Sequence, residues 1–340
     1  MAGAGPEPAL SIVVPVYNEE GNVGPLHAEL AVVAKQIGRP YEIVFVNDGS
    51  RDETLDRLAA IDDPALRVVD LDGNFGEAAA ISAGFNAARG AVVVTLDGDG
   101  QNDPHDIPKL LAALERGYDA VSGRRLERKE AFFSRVLPSR VANRLIVLAT
   151  GVPVYDCGCG LKAYRRPVLA GTQLPRGMNR FLPAILGVRG TRAAEIETCD
   201  RPRVSGRSHY GLSRVAVVFR DLVALPVLVR RPPPGRDMAH MCAGAAAVLG
   251  LLALLAMARE SLIAGFALTL VAAIALAIRH DVVRFLDARE HGVFRVRRML
   301  HGGTSSEHRH RGSGILGEEP PADVQPSRQR AGFEPVRSRS

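Results

Sequence analysis

Uncharged runs alternate with amphipathic stretches along the first third of the chain. "LSIVVPVY" (10–17) is apolar and β-branched, which predicts a buried strand. Behind it Val23, Leu26, Leu30, Val33 and Ile37 recur at steps of three and four, one face of a helix. "YEIVFVND" (41–48) predicts a second strand and "DETLDRLAAI" (52–61) a second helix. "LRVVDL" (66–71) predicts a third strand, followed by a helical run through "GEAAAISAGFNAA" (76–88). "AVVVTLD" (91–97) predicts a fourth strand; Ile107, Leu110, Leu111 and Leu114 then begin a helix that Gly117 ends, and "YDAVSG" (118–123) is again strand-like. Strands that are apolar along their length, alternating with helices, predict an α/β fold: a parallel-rich sheet with helices on both faces.

The pattern changes near residue 237. Residues 238–257 are apolar except for His240, and residues 261–278 carry no charge. Spans of this length can cross a bilayer core of ~30 Å. Arg230, Arg231 and Arg236 precede the pair, and Arg279, Arg284 and Arg289 follow it. Basic residues on both flanks predict that the hairpin returns to the cytoplasmic side. The organisation expected is a flexible N-terminus (1–9), a catalytic domain (10–212), a juxtamembrane segment (213–236), two transmembrane helices (237–279), a basic amphipathic segment (280–300) and a disordered tail (301–340). The segment at 213–232 suits either a helix in the interface plane or an ordinary packing helix. "RFLDAREHGVFRVRRML" (284–300) suits an anionic membrane surface. "MAGAGPEPALS" at the N-terminus lacks the basic and apolar regions of a secretory signal.

Composition narrows the function. The chain has 340 residues and a net charge of +6, with no nucleic-acid-binding motif, so nucleic acid is not an expected partner. Four cysteines (157, 159, 199 and 242) are too few for a disulfide scaffold, and "CGC" lacks a second ligand pair at metal spacing. G-x-x-x-x-G-K-[ST] is absent, and "PVYNEE" stands where a dinucleotide fold would place G-x-G-x-x-G.

In parallel sheets ligands bind beyond the carboxyl ends of the strands. That rule gathers "PVYNEE" (15–20), "VNDGSRDE" (46–53) and "LDGDGQND" (96–103). A single acid such as Asp48 is accounted for by a helix cap or an Asx turn. Three acidic loops on one edge favour a cation site. Asp97, Asp99 and Asp103 fall within seven residues, and carboxylates with an amide suit Mg²⁺ or Mn²⁺. Such a cation can be shared with a departing diphosphate.

"SIVVPVYNEE", "VNDGSRDET", "NFGEAAAISAGF", "LDGDGQNDP", "DCGCGLKAYRR" and "RVSGRSHYGLSR" occur in that order. Over about residues 10–300 the chain resembles the family 2 glycosyltransferases that load sugars onto polyprenyl phosphates, dolichyl-phosphate mannose synthase and undecaprenyl-phosphate transferases among them. The resemblance implies a GT-A-like fold followed by the membrane hairpin. It implies inverting transfer from a nucleoside-diphosphate-sugar to a polyprenyl phosphate at the cytoplasmic face of the cell (inner) membrane, supplying lipid-linked sugar for envelope glycans or glycoconjugates. Carried over by position, it makes Asp97, Asp99 and Asp156 catalytic. Pro15, Tyr17 and Glu19 would line the nucleotide pocket, with Asp48 at the base or ribose. Asp97, Asp99 and Gln101 would hold Mg²⁺ or Mn²⁺ and the diphosphate, which Arg124 would also meet. Arg203 would face phosphate. Where relatives often read G-x-S-K-[YL], this chain reads Gly206-Arg207-Ser208-His209-Tyr210. His209 is then either a titratable phosphate contact or a surface histidine, with Arg207 able to take over the charge. A homo-oligomer is compatible with the resemblance.

Two other readings compete. A processive polysaccharide synthase usually carries Q-x-x-R-W and more spans; this chain has no Trp. A non-enzymatic, membrane-anchored sugar-nucleotide binder would not need Asp97, Asp99, Gln101 and Asp156 together. The sugar and the base stay open among UDP-glucose, GDP-mannose and UDP-linked amino sugars.

Overall fold

The apolar runs form strands where the pattern places them. In the computed structural model, β1 (Leu10–Val16), β2 (Tyr41–Asn47), β3 (Leu66–Leu71) and β4 (Val92–Thr95) pair in parallel, with β1 between β2 and β4. The structure describes residues 7–125, 144, 147, 151–188, 190–201, 221, 224–225, 227–228, 235–259, 261–302 and 304–308. Every residue of β1 and β3 is buried, because helices cover both faces of the sheet. On one face α1 (Val23–Ile37) and α4 (Ile107–Glu115) pack Leu26, Leu30, Leu110 and Leu114 against Ile12, Val14 and Phe45. On the other, α3 (Glu77–Ala87) shares a core with Val13, Val44 and Val46. Period-two alternation along β1 sends neighbours to opposite cores. Gly84 lets α3 lie directly on Val13, whose Cγ1 occupies the space a Cβ would need. The short α2 (Thr54–Ala59) follows β2.

Three further strands extend the sheet. β5 (Ala120–Arg125) forms at the strand-like run after α4. β6 (Lys162–Arg165) enters antiparallel between β4 and β5, and β7 (Ala193–Thr198) pairs in parallel outside β5.

The apolar segment forms two antiparallel helices, α5 (Arg236–Ala258) and α6 (Leu262–His291), both long and apolar enough to cross a membrane. Their buried positions over the apolar stretch are small residues, Ala246 and Ala253 on α5 and Gly265 and Ala272 on α6, with Gly265 against Met257 and the Ala253 carbonyl. Such residues let helix backbones approach closely without a hydrophobic driving force. Leu251, Leu254, Leu255, Leu262, Ile263 and Phe266 point outward and are exposed, unlike the core helices of a soluble protein.

Beyond the hairpin the chain departs from the expectation. No separate surface segment begins at residue 280, because α6 continues unbroken to His291. Its last turns bury Asp281, Val282, Phe285 and Ala288, and Val282 and Phe285 join the α3-side core. The basic run then becomes β8 (Val296–His301), antiparallel to β3, and β9 (Thr304–His308) pairs with β8. The nine-stranded order among the described residues is β7-β5-β6-β4-β1-β2-β3-β8-β9. The cause is an open strand edge on β3 and a buried acid, Asp70, that Arg298 approaches to 3.2 Å. The sheet therefore draws on residues before and after the hairpin rather than on 10–212 alone. Of the expected tail, residues 309–340 lie outside the described residues. Within 213–234 the described positions are helical, and Ala224, Leu225 and Leu228 pack into protein core.

At the amino ends of the strands, Glu42 is 1% exposed and accepts hydrogen bonds from Ser11 Oγ (2.6 Å), Arg67 Nη1 (2.9 Å), and Arg89 N (2.7 Å) and Nε (2.9 Å). Burial disfavours its charge, but these donors outweigh burial and hold its carboxyl below the usual range. Its stabilisation is thus complete above the ordinary glutamate pKa and is lost as pH falls through the lowered value. Glu42→Gln, which leaves the buried Arg67 without its counter-charge, is expected to cost about 3 kcal/mol near pH 7. The gap from wild type should narrow as pH falls, measured by thermal unfolding of the detergent-solubilised protein.

Candidate active site

The carboxyl ends of β1, β2 and β4 open on one edge, and the three acidic loops leave from it. Pro15 is buried at the end of β1, and Tyr17 beyond it is exposed. Asn18 takes a left-handed conformation (φ 55°), which asparagine tolerates better than most residues. Its N–H donates to Ser50 Oγ (2.9 Å) and its Oδ1 accepts from Arg51 N (2.8 Å). The Glu19 N–H donates to Thr54 Oγ1 (2.8 Å), and its carboxylate accepts from Asn22 Nδ2 (2.5 Å). These bonds brace the first two acidic loops as one unit.

Asp48 is 3% exposed and accepts from the N–H groups of Phe75 (2.7 Å) and Gly76 (2.8 Å), at the start of α3. Burial pushes its pKa up; those two N–H groups and the charge of Arg176 pull the other way without cancelling it. Arg176 lies over Gly76 and donates to Asn74 Oδ1 (3.1 Å).

The third loop folds back onto β1. Gly98 has Val16 and the Pro15 carbonyl where a Cβ would sit, so only glycine permits this approach. The Asp97 N–H donates to Asn102 Oδ1 (3.2 Å), and the Gln101 N–H donates to Asp99 Oδ1 (3.1 Å). The Gln101 carbonyl accepts from Arg201 N (2.7 Å). Asp103 leaves the group: it accepts from His105 N (2.9 Å) and pairs with Arg201 (2.6 Å). Glu29, Asp103 and His105 cluster there, but Arg201, doubly hydrogen-bonded to Glu29, already supplies the positive charge.

Asp97 carries the site's electrostatic imbalance. Burial first, then the charges of Glu77 and Asp99, push its pKa up to about 8; Lys162 and Arg125 oppose them without cancelling them. An oxygen-rich edge whose Asp97 gives up its proton only near pH 8 fits a hard divalent cation, which Asp97, Asp99 and Gln101 would hold.

Behind Asp97 stands a floor built from "DCGCGLK" (156–162). A Cβ on Gly160 would fall on the Asp97 carboxylate itself. Thr95 Oγ1 donates to the Gly160 carbonyl (3.0 Å), and buried Lys162 donates to the carbonyls of Cys159 (2.5 Å) and Cys157 (3.4 Å). Asp156 is 4% exposed and held by a fork from Arg125, Nε to Oδ2 at 2.8 Å and Nη2 to Oδ1 at 3.0 Å. Arg124, expected at the diphosphate, points to the opposite face of β5 and pairs in the open with Glu197 (2.6 Å). Burial raises the Cys157 and Cys159 thiols to about 12 and about 11, so both are neutral packing groups. Residue pattern alone did not single out Glu77, Arg125, Gly160 or Lys162. Arg203, Arg207 and His209 lie outside the described residues.

The parallel-rich sheet with acidic loops at its carboxyl edge has the GT-A-like architecture. The fold agrees with glucosyl-3-phosphoglycerate synthase of Mycobacterium tuberculosis, solved with Mn²⁺, UDP-glucose and phosphoglyceric acid: TM-score 0.52, 20% identity, 67% of this chain and 81% of that one covered. Residues 11–171 match the glycosyl transferase family 2 model. The dodecaprenyl-phosphate galacturonate synthase of Rhizobium johnstonii is 40% identical over 253 residues, 72% of this chain and 74% of that protein. The undecaprenyl-phosphate 4-deoxy-4-formamido-L-arabinose transferase of Pseudomonas aeruginosa is 38% identical over 217 residues, 63% of this chain and 64% of its own, just under two thirds of that relative's length. The chain belongs to glycosyl transferase family 2.

Gly160→Ala is expected to displace the Asp97 carboxylate and lower kcat/KM by about 10²-fold, the scale of an ångström's misplacement, with little change in Tm. In the absence of donor, Mn²⁺ held by Asp97 would have to displace that residue's proton. Affinity is therefore expected to rise with pH up to about 8 and level off above it, read by EPR of free Mn²⁺. Asp97→Asn should flatten that profile.

Proposed function

We propose that this glycosyltransferase moves a sugar from a nucleoside-diphosphate-sugar to a polyprenyl phosphate at the cytoplasmic face of the cell membrane, with inversion at C1, supplying lipid-linked sugar for envelope glycans or glycoconjugates. The observation that carries the reading is the meeting of Asp97, Asp99 and the Gly160 floor at the carboxyl edge of the sheet, in a chain that also exposes two long apolar helices. Relatives named for dodecaprenyl-phosphate and undecaprenyl-phosphate transfer support the acceptor class. The neighbour solved with Mn²⁺ and UDP-glucose supports a divalent cation and a nucleotide-sugar.

The chemistry follows from charge. A phosphate monoester has a second pKa of about 6 and is mostly dianionic near neutral pH. Its oxygen attacks C1, the C1–O bond to the diphosphate breaks, and the electron pair leaves with the nucleoside diphosphate. No proton need be removed from the nucleophile, so the acceptor does not demand a general base. Asp156, forked by Arg125, fits a positioning or electrostatic role better than proton transfer. A divalent cation, Mg²⁺ or Mn²⁺, held by Asp97, Asp99 and Gln101 would supply charge to the departing diphosphate. Pro15, Tyr17, Glu19 and Asp48 belong to the braced loops on the nucleotide side. Arg203, Arg207 and His209 are assigned to the acceptor phosphate, and Arg124 to the diphosphate, on resemblance alone; the pairing of Arg124 with Glu197 does not favour the latter. The hairpin's two flanks, both basic, support a cytoplasmic site.

The test is a panel of nucleotide-sugars, including UDP-glucose, GDP-mannose, UDP-galacturonate and a UDP-linked amino sugar, with a short polyprenyl phosphate and Mg²⁺ or Mn²⁺. Mass spectrometry should find a polyprenyl monophosphate sugar from one donor. Asp99→Asn, a weaker cation ligand, should lose nearly all turnover while keeping the wild-type melting temperature. Wild-type protein that transfers from none of the donors, or to water only, would overturn the reading.

A further inference from the structure

The strand that follows the membrane hairpin touches the donor side of the sheet through a continuous polar row. Arg298 on β8 stands opposite Asp70 on β3, and Asp70 stands beside Asn47 on β2. Arg298 Nε donates to Asp70 Oδ2 (3.2 Å), and Asn47 Nδ2 donates to Asp70 Oδ1 (2.8 Å). Asn47 Oδ1 accepts from Ser50 N (3.2 Å), and Ser50 Oγ accepts from Asn18 N (2.9 Å). Asn18 in turn accepts from Arg51 N (2.8 Å), closing the brace between the first two acidic loops.

Asp70 and Asn47 are 0% and 1% exposed, at the carboxyl ends of strands whose other polar pair, Glu42 and Arg67, lies at the opposite end. Burying a carboxylate and an amide there costs several kcal/mol unless every group is met. An apolar pair would serve packing better. Their bonding does something packing cannot: it fixes the direction of the Asn47 side chain, hence the turn at Ser50, hence the left-handed turn at Asn18. Those turns lie between Tyr17 and Asp48 at the expected nucleotide pocket. Arg298, with Arg297 3.6 Å from the same carboxylate, is the positive end of the row. A second tie runs nearby: Arg284 on α6 donates to the carbonyl of Arg176 (2.6 Å), the residue lying over Gly76 beside Asp48.

We infer that Arg298 is a positioning residue for the nucleotide end of the donor, acting through Asp70, Asn47, Ser50 and Asn18. The inference rests on the donor-site reading above. It makes the return strand after the membrane hairpin a working part of the donor pocket.

The experiment titrates UDP and GDP, each with Mn²⁺, into the full-length protein in detergent by calorimetry. Wild-type binding of at least one nucleotide supports the donor-site reading; binding of neither overturns that reading and this inference with it. Given wild-type binding, Arg298→Met is expected to weaken it about tenfold and raise donor KM to match. kcat and acceptor KM should stay within about twofold, and Arg298→Lys should recover part of the loss. Ser50→Ala should weaken binding too, and the double variant should lose less than the product of the two single losses, the mark of residues in one network. Because Arg298→Met leaves Asp70 buried with less compensation, Asp70→Asn/Arg298→Met is made as well. Recovery of its melting temperature without recovery of nucleotide affinity supports positioning. Recovery of both, multiplicative effects in the cycle, or wild-type affinity in Arg298→Met overturns it.

Discussion

The carboxylate of Asp97 sits in space that exists only because residue 160 has no side chain, and it sits there beside the negative charges of Glu77 and Asp99. Like charges in a partly desolvated site repel strongly and draw positive charge towards them. Among the described residues Lys162 and Arg125 act against that repulsion without cancelling it, Lys162 while bonded to the carbonyls of Cys157 and Cys159 and Arg125 while forked to Asp156. Gly98 against Pro15, Gly160 against Asp97 and the Asn102 contact to the Asp97 backbone all hold that carboxylate in place. The site is a balance of charges fixed by small residues rather than an array of nucleophiles and bases.

How much of this the sequence revealed depends on whether a signal was local. β1 to β4 and the helices after them were legible because their apolar periods are unbroken and helices cover both faces. The acidic loops were legible because parallel topology puts strand ends on one edge. β6 was not: "KAYR" is short and mixed in character, and it is a strand only because β4 and β5 leave a gap for it. Choosing between Arg124 and Arg125 needs the phase of β5, which one residue of register reverses. The third aspartate of "LDGDGQND" looks equivalent to the first two in sequence, yet Arg201, far along the chain, draws it away. Gly160 and Lys162 were visible within a quoted motif, but their tasks depend on what lies against them.

The run at 284–300 shows the same limit more sharply. Its arginines suit an anionic surface by composition, whereas in the fold Arg297 and Arg298 face Asp70, more than two hundred residues earlier. A basic amphipathic run and an edge strand answering a buried acid have the same sequence signature; only the partner tells them apart.

The hairpin is thus an insertion between parts of one sheet, and this constrains the site's height above a membrane. α6 has 30 residues, about 45 Å at 1.5 Å per residue. A bilayer core of ~30 Å takes about twenty of them. The remaining turns include buried Asp281, Val282, Phe285 and Ala288, packed on the catalytic fold. One unbroken helix is therefore apolar and outward-facing at one end and part of the protein core at the other. With Arg284 tied to Arg176 at this junction and β8 tied to β3 beyond it, the helix has no free joint between the two ends. On the membrane reading, about ten helical residues, roughly 15 Å of helix, extend past the lipid core and pack on the catalytic fold.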